Sequence, residues 1–165
     1  MPVNDNNLVI KQAKTRDVPV IFTLLKGLAE YEDLTSDFVI TEKDLTKALF
    51  GPDPSARAIL ACDGDTAVGI AVFCKHYSTF LGRKYLYLED IFVIPSHRGS
   101  GVGRKLMEHA AILAKTLGST KIEWSVLDWN ESAIKFYEHL GAKPVEGWRT
   151  YRLNDDALQK LSNPS

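Results

Sequence analysis

Residues 84–94 read KYLYLEDIFVI, and this stretch limits what the chain can fold into more than any other. It is long and rich in aromatic and β-branched residues, the composition of a central strand. Only Glu89 and Asp90 interrupt it, and burying two carboxylates costs several kcal/mol unless they are paired or wetted. A cationic ligand is one group that would offset that cost. Pro95 ends the strand, and HRGSGVG follows at residues 97–103. Val102, Leu106, Ala110, Leu113 and Leu117 then recur at helical spacing up to Gly118, a natural helix stop. A central strand, a glycine turn and an amphipathic helix in that order predict an α/β architecture.

The remaining segments fit the same class. Residues 8–13 alternate apolar and polar positions, as a short first strand does. Val20, Ile21, Leu24, Leu25 and Leu28 predict a helix over residues 17–31, with Pro19 tolerated in its first turn. Thr41 and Asp44 have the spacing of a capping box, opening a second helix that runs to Phe50 and stops at Gly51-Pro52-Asp53-Pro54. Residues 58–61 and 67–75 flank Asp63-Gly64-Asp65 and predict a hairpin. After the long strand we expect a strand at 122–127, a helix at 130–140 closed by Gly141, and a final strand at 147–153. The expectation is one domain with its core at about residues 8–153, built as a mixed central sheet with helices on both faces. A chain of 165 residues can bury about 70% of its unfolded surface.

Composition removes several classes of function. The formal net charge is −1, so no global field attracts nucleic acid or an anionic membrane. Cys62 and Cys74 have no C-x-x-C spacing, which argues against a disulfide framework or a zinc site and for a reducing, cytoplasmic home. His76, His97, His109 and His139 are scattered without ligand spacing, so surface roles and no metal are expected. Trp124, Trp129 and Trp148 are expected in the core or in a pocket wall. The polar N-terminus has no signal-like apolar stretch, and no run approaches the length of a membrane helix.

The glycine turn carries the chemistry. Closely spaced glycines let backbone N–H groups approach an anion, and a helix start adds unsatisfied N–H groups with a partial positive charge, so a phosphate or diphosphate suits the place. A Walker loop would need Lys-Ser/Thr after four intervening residues, and the dinucleotide fingerprint would need a glycine at Arg104 or Leu106; neither is present. The spelling instead resembles the Arg/Gln-x-x-Gly-x-Gly/Ala signature of the GCN5-related N-acetyltransferase (GNAT) superfamily, matched by Arg98, Gly101 and Gly103. A second block, Asn130-Glu131-Ser132-Ala133 followed by Phe136-Tyr137 and Gly141-Ala142, is similar to the helix that flanks the coenzyme in that family.

The resemblance implies a GNAT fold with splayed middle strands and acetyl-CoA as cosubstrate. It places the coenzyme on Ile91, Phe92 and Val93, on Arg98, Gly99, Ser100, Gly101, Val102, Gly103 and Arg104, and on Asn130, Glu131, Ser132, Ala133 and Tyr137. Tyr137 matches the family's general acid. Further blocks, Leu28-Ala29-Glu30-Tyr31-Glu32, Tyr87-Leu88-Glu89-Asp90-Ile91-Phe92-Val93 and Glu146-Gly147-Trp148-Arg149, resemble the diamine acetyltransferase subfamily, which includes spermidine/spermine and thialysine acetyltransferases. There the matching positions Tyr31, Glu32, Glu89, Asp90, Glu123, Trp124, Ser125 and Glu146 line an amine pocket, and Glu89 is expected to relay the proton of the acceptor amine. The turn Tyr77-Ser78-Thr79-Phe80-Leu81-Gly82 lacks the acidic, tryptophan-containing spelling of polyamine-acetylating members, which favours a short amine or amino-acid side chain over spermine. A homodimer is carried over from the family. A polyamine (spermidine/spermine) acetyltransferase is the alternative reading, and a noncatalytic coenzyme-binding module and an enzyme acting on protein amines compete behind it.

Overall fold

A computed structural model describes residues 7–163; the polar stretch 1–6 and the last two residues lie outside the described part. The described chain falls into two compact units, the first ending at Ser125 and the second beginning at Val126.

The first unit is built on a five-stranded sheet in sequence order. Strands β1 (Leu8–Gln12), β2 (Arg57–Asp63), β3 (Thr66–Ser78) and β4 (Arg83–Val93) pair antiparallel, and β5 (Ile122–Glu123) lies parallel to β4. The sheet is therefore mixed, as its sequence predicts. Helix α1 (Val18–Tyr31) carries Pro19 in its first turn, and α2 (Glu42–Phe50) opens on the expected capping box: Thr41 Oγ1 accepts from the Asp44 amide, and Asp44 Oδ2 accepts from the Thr41 amide at 3.0 Å. Ile21 and Leu24 of α1 and Leu45 and Leu49 of α2 share one core with Ala58, Leu60, Ile70, Val72 and Phe92 of the sheet. The fit is close: a Cβ on Gly27 would stand 3.0 Å from the Phe92 ring.

Helix α3 (Val102–Thr116) buries Val102, Leu106 and Ala110 of the predicted stripe together with Met107 and Ala114, while the predicted Leu113 and Leu117 are only partly buried. It packs on the sheet's other face, where a Cβ on Gly69 would meet Val102 and Leu106 side-chain atoms at 3.2 Å. Successive residues of a strand point to opposite faces, so Gly69 toward α3 and Ile70 toward α1 is the required alternation.

Three expectations need correction. The strand foreseen at 122–127 shrinks to Ile122–Glu123, whose pairing with β4 covers only Leu86 and Tyr87. A β-bulge in β4 two residues further on explains this, because bulges bend and twist their strand. The final strand foreseen at 147–153 is absent: Gly147 has φ 81°, and the alternating residues after it have no strand partner among the described residues. Trp148, expected in the core or a pocket wall, is 81% exposed.

In the second unit, α4 (Glu131–His139) starts where expected, with Asn130 Oδ1 accepting from the Ala133 amide at 3.2 Å. The Gly141 amide donates to Glu138 O and the Ala142 amide to Tyr137 O, closing the helix at a glycine with φ 88°. A further helix, α5 (Asp155–Ser162), was not anticipated, although its signals are ordinary: an Asn154 cap, Asp155 and Asp156 in the first turn, and leucines at 158 and 161. No helix of the described residues is long and apolar enough to cross a membrane.

Candidate active site

The bulge that bends β4 also creates the acidic centre. Across the β3–β4 pair, Asp90 stands opposite Val72 and Leu88 opposite Phe73, so Glu89 is the extra residue. An inserted residue resets the alternation of a strand. Without it Tyr87 and Asp90, three residues apart, would face opposite sides. With it, both lie on the face of β3 that carries Val72, Cys74 and His76, which is the face α1 covers further along.

Asp90 is only partly exposed, and its carboxyl is pushed up to about 6, first by burial, then by the neighbouring charges of Glu89 and Glu32. Glu32 caps the C-terminal end of α1, and burial raises its carboxyl as well. Glu89 itself is exposed. The Cys74 thiol is held up by burial and then by Glu89 and Asp90. Glu32 and Glu89 therefore approach Asp90 where α1 ends over β4, and their charges make its ionisation more expensive. A carboxylate cluster of this kind attracts a cation.

Arg98 fixes the edge of this cluster. Its Nε donates to Val93 O at 2.9 Å, and its guanidinium lies 4.4 Å from the Tyr31 ring centroid and 5.4 Å from that of Phe92. Two residues expected at different ligands, Arg98 at the coenzyme and Tyr31 at the amine, are thus packed on each other, tying the end of α1 to the end of β4.

Beyond Arg98 the turn has the geometry that its glycines require. Gly99 and Gly101 have φ values of 74° and 86°, and Gly101 is the residue from which α3 starts. Ser100 Oγ donates to His97 O at 2.6 Å, and His97 Nε2 lies 3.5 Å from Asp63 Oδ2, so the turn is braced from both sides. No side chain caps α3 and no acidic residue stands in its first turn. The N–H groups of Val102, Gly103 and Arg104 point out of a helix start that favours negative charge. The residues present fit a diphosphate. On β4, residues 88–93 have no β5 partner in the register, so Ile91, Phe92 and Val93 lie where the sheet opens.

The opening begins at a corner that sequence reasoning passed over. The Tyr87 hydroxyl lies 3.1 Å from Ser125 Oγ, and His76 stacks on the Tyr87 ring at 4.7 Å with the planes 6° apart. Tyr85 meets His76 edge-on at 5.4 Å, with its hydroxyl 3.4 Å from His76 Nδ1. Lys121 Nζ sits 4.3 Å over the Tyr85 ring and 2.6 Å from Glu123 Oε1. His76 is thus exposed, as expected, but part of an ordered cluster. The only sequence signal was register: His76 opposite Tyr85 and Tyr87 opposite Glu123 follow once the pairings are known.

Of the anticipated site residues, the first unit holds Tyr31, Glu32, Glu89, Asp90, Ile91, Phe92, Val93, the turn from Arg98 to Arg104, and Glu123, Trp124 and Ser125. Asn130, Glu131, Ser132, Ala133, Tyr137 and Glu146 belong to the second. There Asn130 is buried as the α4 cap, and the Tyr137 ring packs against Phe136 at 5.3 Å.

Comparison with known proteins bears on this geometry. The model of the Acetyltransferase (GNAT) family matches residues 27–142. A thialysine N-epsilon-acetyltransferase of Sus scrofa is 34% identical, over 94% of this chain and 98% of its own. An L-ornithine N5-acetyltransferase of Arabidopsis thaliana is 32% identical, over 92% and 86%. Among solved structures, an integron cassette protein from the mobile metagenome of V. cholerae superposes with a TM-score of 0.80 at 26% identity, covering 96% of this chain and 99% of that one. A chain matched by this family over most of its length, with the glycine turn and opened sheet just described, belongs to the GNAT acetyltransferase family and is an acetyl-CoA-dependent N-acetyltransferase.

Proposed function

We propose that the protein acetylates the primary amine of a small aliphatic acceptor of the thialysine, ornithine or diamine type. The observation that carries this reading is the convergence of Glu32, Glu89 and Asp90 at the open end of α1, with the Asp90 carboxyl raised to about 6. Relatives named for thialysine and ornithine acetylation support it.

An alkylammonium has a pKa near about 10.4, so releasing its proton at neutral pH costs about 4 to 5 kcal/mol. Carboxylates bind the cation but also hold its proton more tightly, so binding and activation oppose each other. Glu89, the exposed member of the cluster, holds the ammonium and passes its proton to solvent through water. Asp90 and Glu32, partly withdrawn from water, contribute charge that orients the nitrogen.

Gly99, Ser100, Gly101, Val102, Gly103 and Arg104 would hold the diphosphate of acetyl-CoA, with the outer nitrogens of Arg98, while Asn130, Glu131, Ser132 and Ala133 flank its arm. The coenzyme supplies an acetyl thioester. A β4 amide in the stretch Ile91 to Val93 would donate to the carbonyl oxygen. Tyr137 Oη gives its proton to the departing sulfur, and transfer is direct, since the thiol of Cys74 is held protonated by burial and by neighbouring carboxylates. Tyr31, Trp124 and Ser125 complete the acceptor pocket, and the enzyme works in the cytoplasm as a homodimer, the latter checked by sizing in solution.

The polyamine reading is second, because an acidic cluster also suits spermidine or spermine. A panel of thialysine, lysine, ornithine, diaminopropane, putrescine, spermidine and spermine with acetyl-CoA, read by release of free thiol, separates the two. No turnover of any small amine would overturn the proposal.

A further inference from the structure

The cluster of His76, Tyr85, Tyr87, Lys121, Glu123 and Ser125 lies on the same sheet face as Asp90, at the end of the opening away from α1. It contains a cation, Lys121, next to two aromatic rings and a carboxylate. That cation is held in place on two sides, by Glu123 Oε1 at 2.6 Å and by the face of Tyr85 at 4.3 Å. Tyr85 is in turn set by His76, which Tyr87 stacks against. Pairs this exposed, with side chains 37% and 35% accessible, add little to stability. Ordering a lysine in this way has its clearest consequence for whatever approaches the face.

Resting on the function proposed above, we infer that Lys121 is a specificity-determining residue that selects acceptors carrying a carboxylate at the end opposite the reacting nitrogen. Glu123 pairs with Tyr87, and Asp90 lies three residues along β4. Because Glu89 is the extra residue of the bulge, this stretch advances along the sheet only as far as Cys74 to Val72, two residues at about 3.3 Å each or about 7 Å, roughly the length of an amino acid with a three- or four-carbon side chain from its terminal nitrogen to its carboxyl carbon. An amine nitrogen held at Glu89 and Asp90 places the head of such an acceptor beside the Lys121–Glu123 pair. There an α-carboxylate meets Lys121 and an α-ammonium meets Glu123. A diamine of equal length brings a second ammonium to the same spot, where Lys121 repels it and has already neutralised Glu123. One charge at this range, partly solvated, changes affinity by about tenfold.

The test uses acceptor pairs that differ by one carboxylate: ornithine against 1,4-diaminobutane, and lysine against 1,5-diaminopentane. The wild-type protein should show the higher kcat/KM for the amino acid of each pair. Lys121→Gln should lower that preference about tenfold or more, through KM and not kcat, and should raise kcat/KM for the diamine because Glu123 is released. Lys121→Arg should restore the preference. Lys121→Gln combined with Glu123→Gln should lower the preference without the gain for diamines. An unchanged ratio in the Gln variant, or equal losses for both acceptors of a pair, overturns the assignment while leaving the acetyltransferase reading intact. Wild-type protein that acetylates none of the four acceptors overturns the assignment, and one that also leaves thialysine and the rest of the small-amine panel untouched overturns both.

Discussion

Replacing Asp90 by Asn should make the protein more stable and less active, and the size of the gain follows from the carboxyl's surroundings. Its pKa rises from 3.8 to about 6 on folding, mainly through burial, then through Glu89 and Glu32. At about 1.4 kcal/mol per tenfold change in proton affinity, the ionised side chain costs the folded state about 3 kcal/mol. The sign follows from proton counts: between about pH 4 and 6 the folded chain keeps a proton that the unfolded chain has released. Stability therefore falls as pH rises through this window, and the whole cost is present above it. Asn has nearly the same shape, carries no charge, and offers N–H donors to the neighbouring carboxylates. Urea titrations should show Asp90→Asn ahead of wild type by up to about 3 kcal/mol at pH 7.5 and by only about 0.5 kcal/mol at pH 4. In thermal melts the neutral-pH gain corresponds to about 6 to 12 °C. Affinity for cationic acceptors should fall in the same variant, the trade between function and stability that charged sites show. A variant no more stable than wild type at pH 7.5, or a difference that does not shrink on acidification, would refute the account of this carboxyl as a strained charge.

Other outcomes follow from the same geometry. Glu89→Gln should lower kcat/KM by about a hundredfold, with the loss growing toward low pH, where fewer acceptor molecules are already neutral; a pH profile parallel to wild type rules out the relay. Tyr137→Phe should slow turnover by at least about tenfold while coenzyme binding, measured by calorimetry, stays unchanged; loss of both marks a packing residue, and unchanged turnover removes it from the mechanism. Gly101→Ala forces a side chain into a backbone at φ 86°, costing about 1 to 2 kcal/mol. Coenzyme affinity should fall with it, and a variant that melts and binds like wild type would show the turn to be more adaptable than its geometry implies.

Local signals accounted for much of this molecule. The capping box at Thr41, the helix stops at Gly118 and Gly141 and the stripe of α3 act over one or two turns, so neighbouring residues specify them. The glycine turn and the block around Tyr137 were legible as a GNAT resemblance for the same reason: contiguous residues carry them. The strand predicted at 147–153 failed because a strand needs a partner, and alternation in one segment does not provide one. The helix at Asp155–Ser162 was missed with its cap in plain view, since no family motif drew attention to it. His76 looked like an isolated surface histidine, yet its neighbours Tyr85 and Tyr87 are brought to it by pairing across the sheet.

The amino-acid order alone determined that two adjacent carboxylates would interrupt a central strand and that a helix start free of acidic side chains would follow it. Tertiary structure decided which way those carboxylates face. The extra residue at Glu89 exists only in the register between β3 and β4, and that register turns Asp90 onto the side where Glu32, Cys74 and Tyr87 lie. Charges separated by tens of residues shift one another only when the fold brings them close together in a partly dry place, so the acidic cluster is a property of the sheet and not of any segment within it.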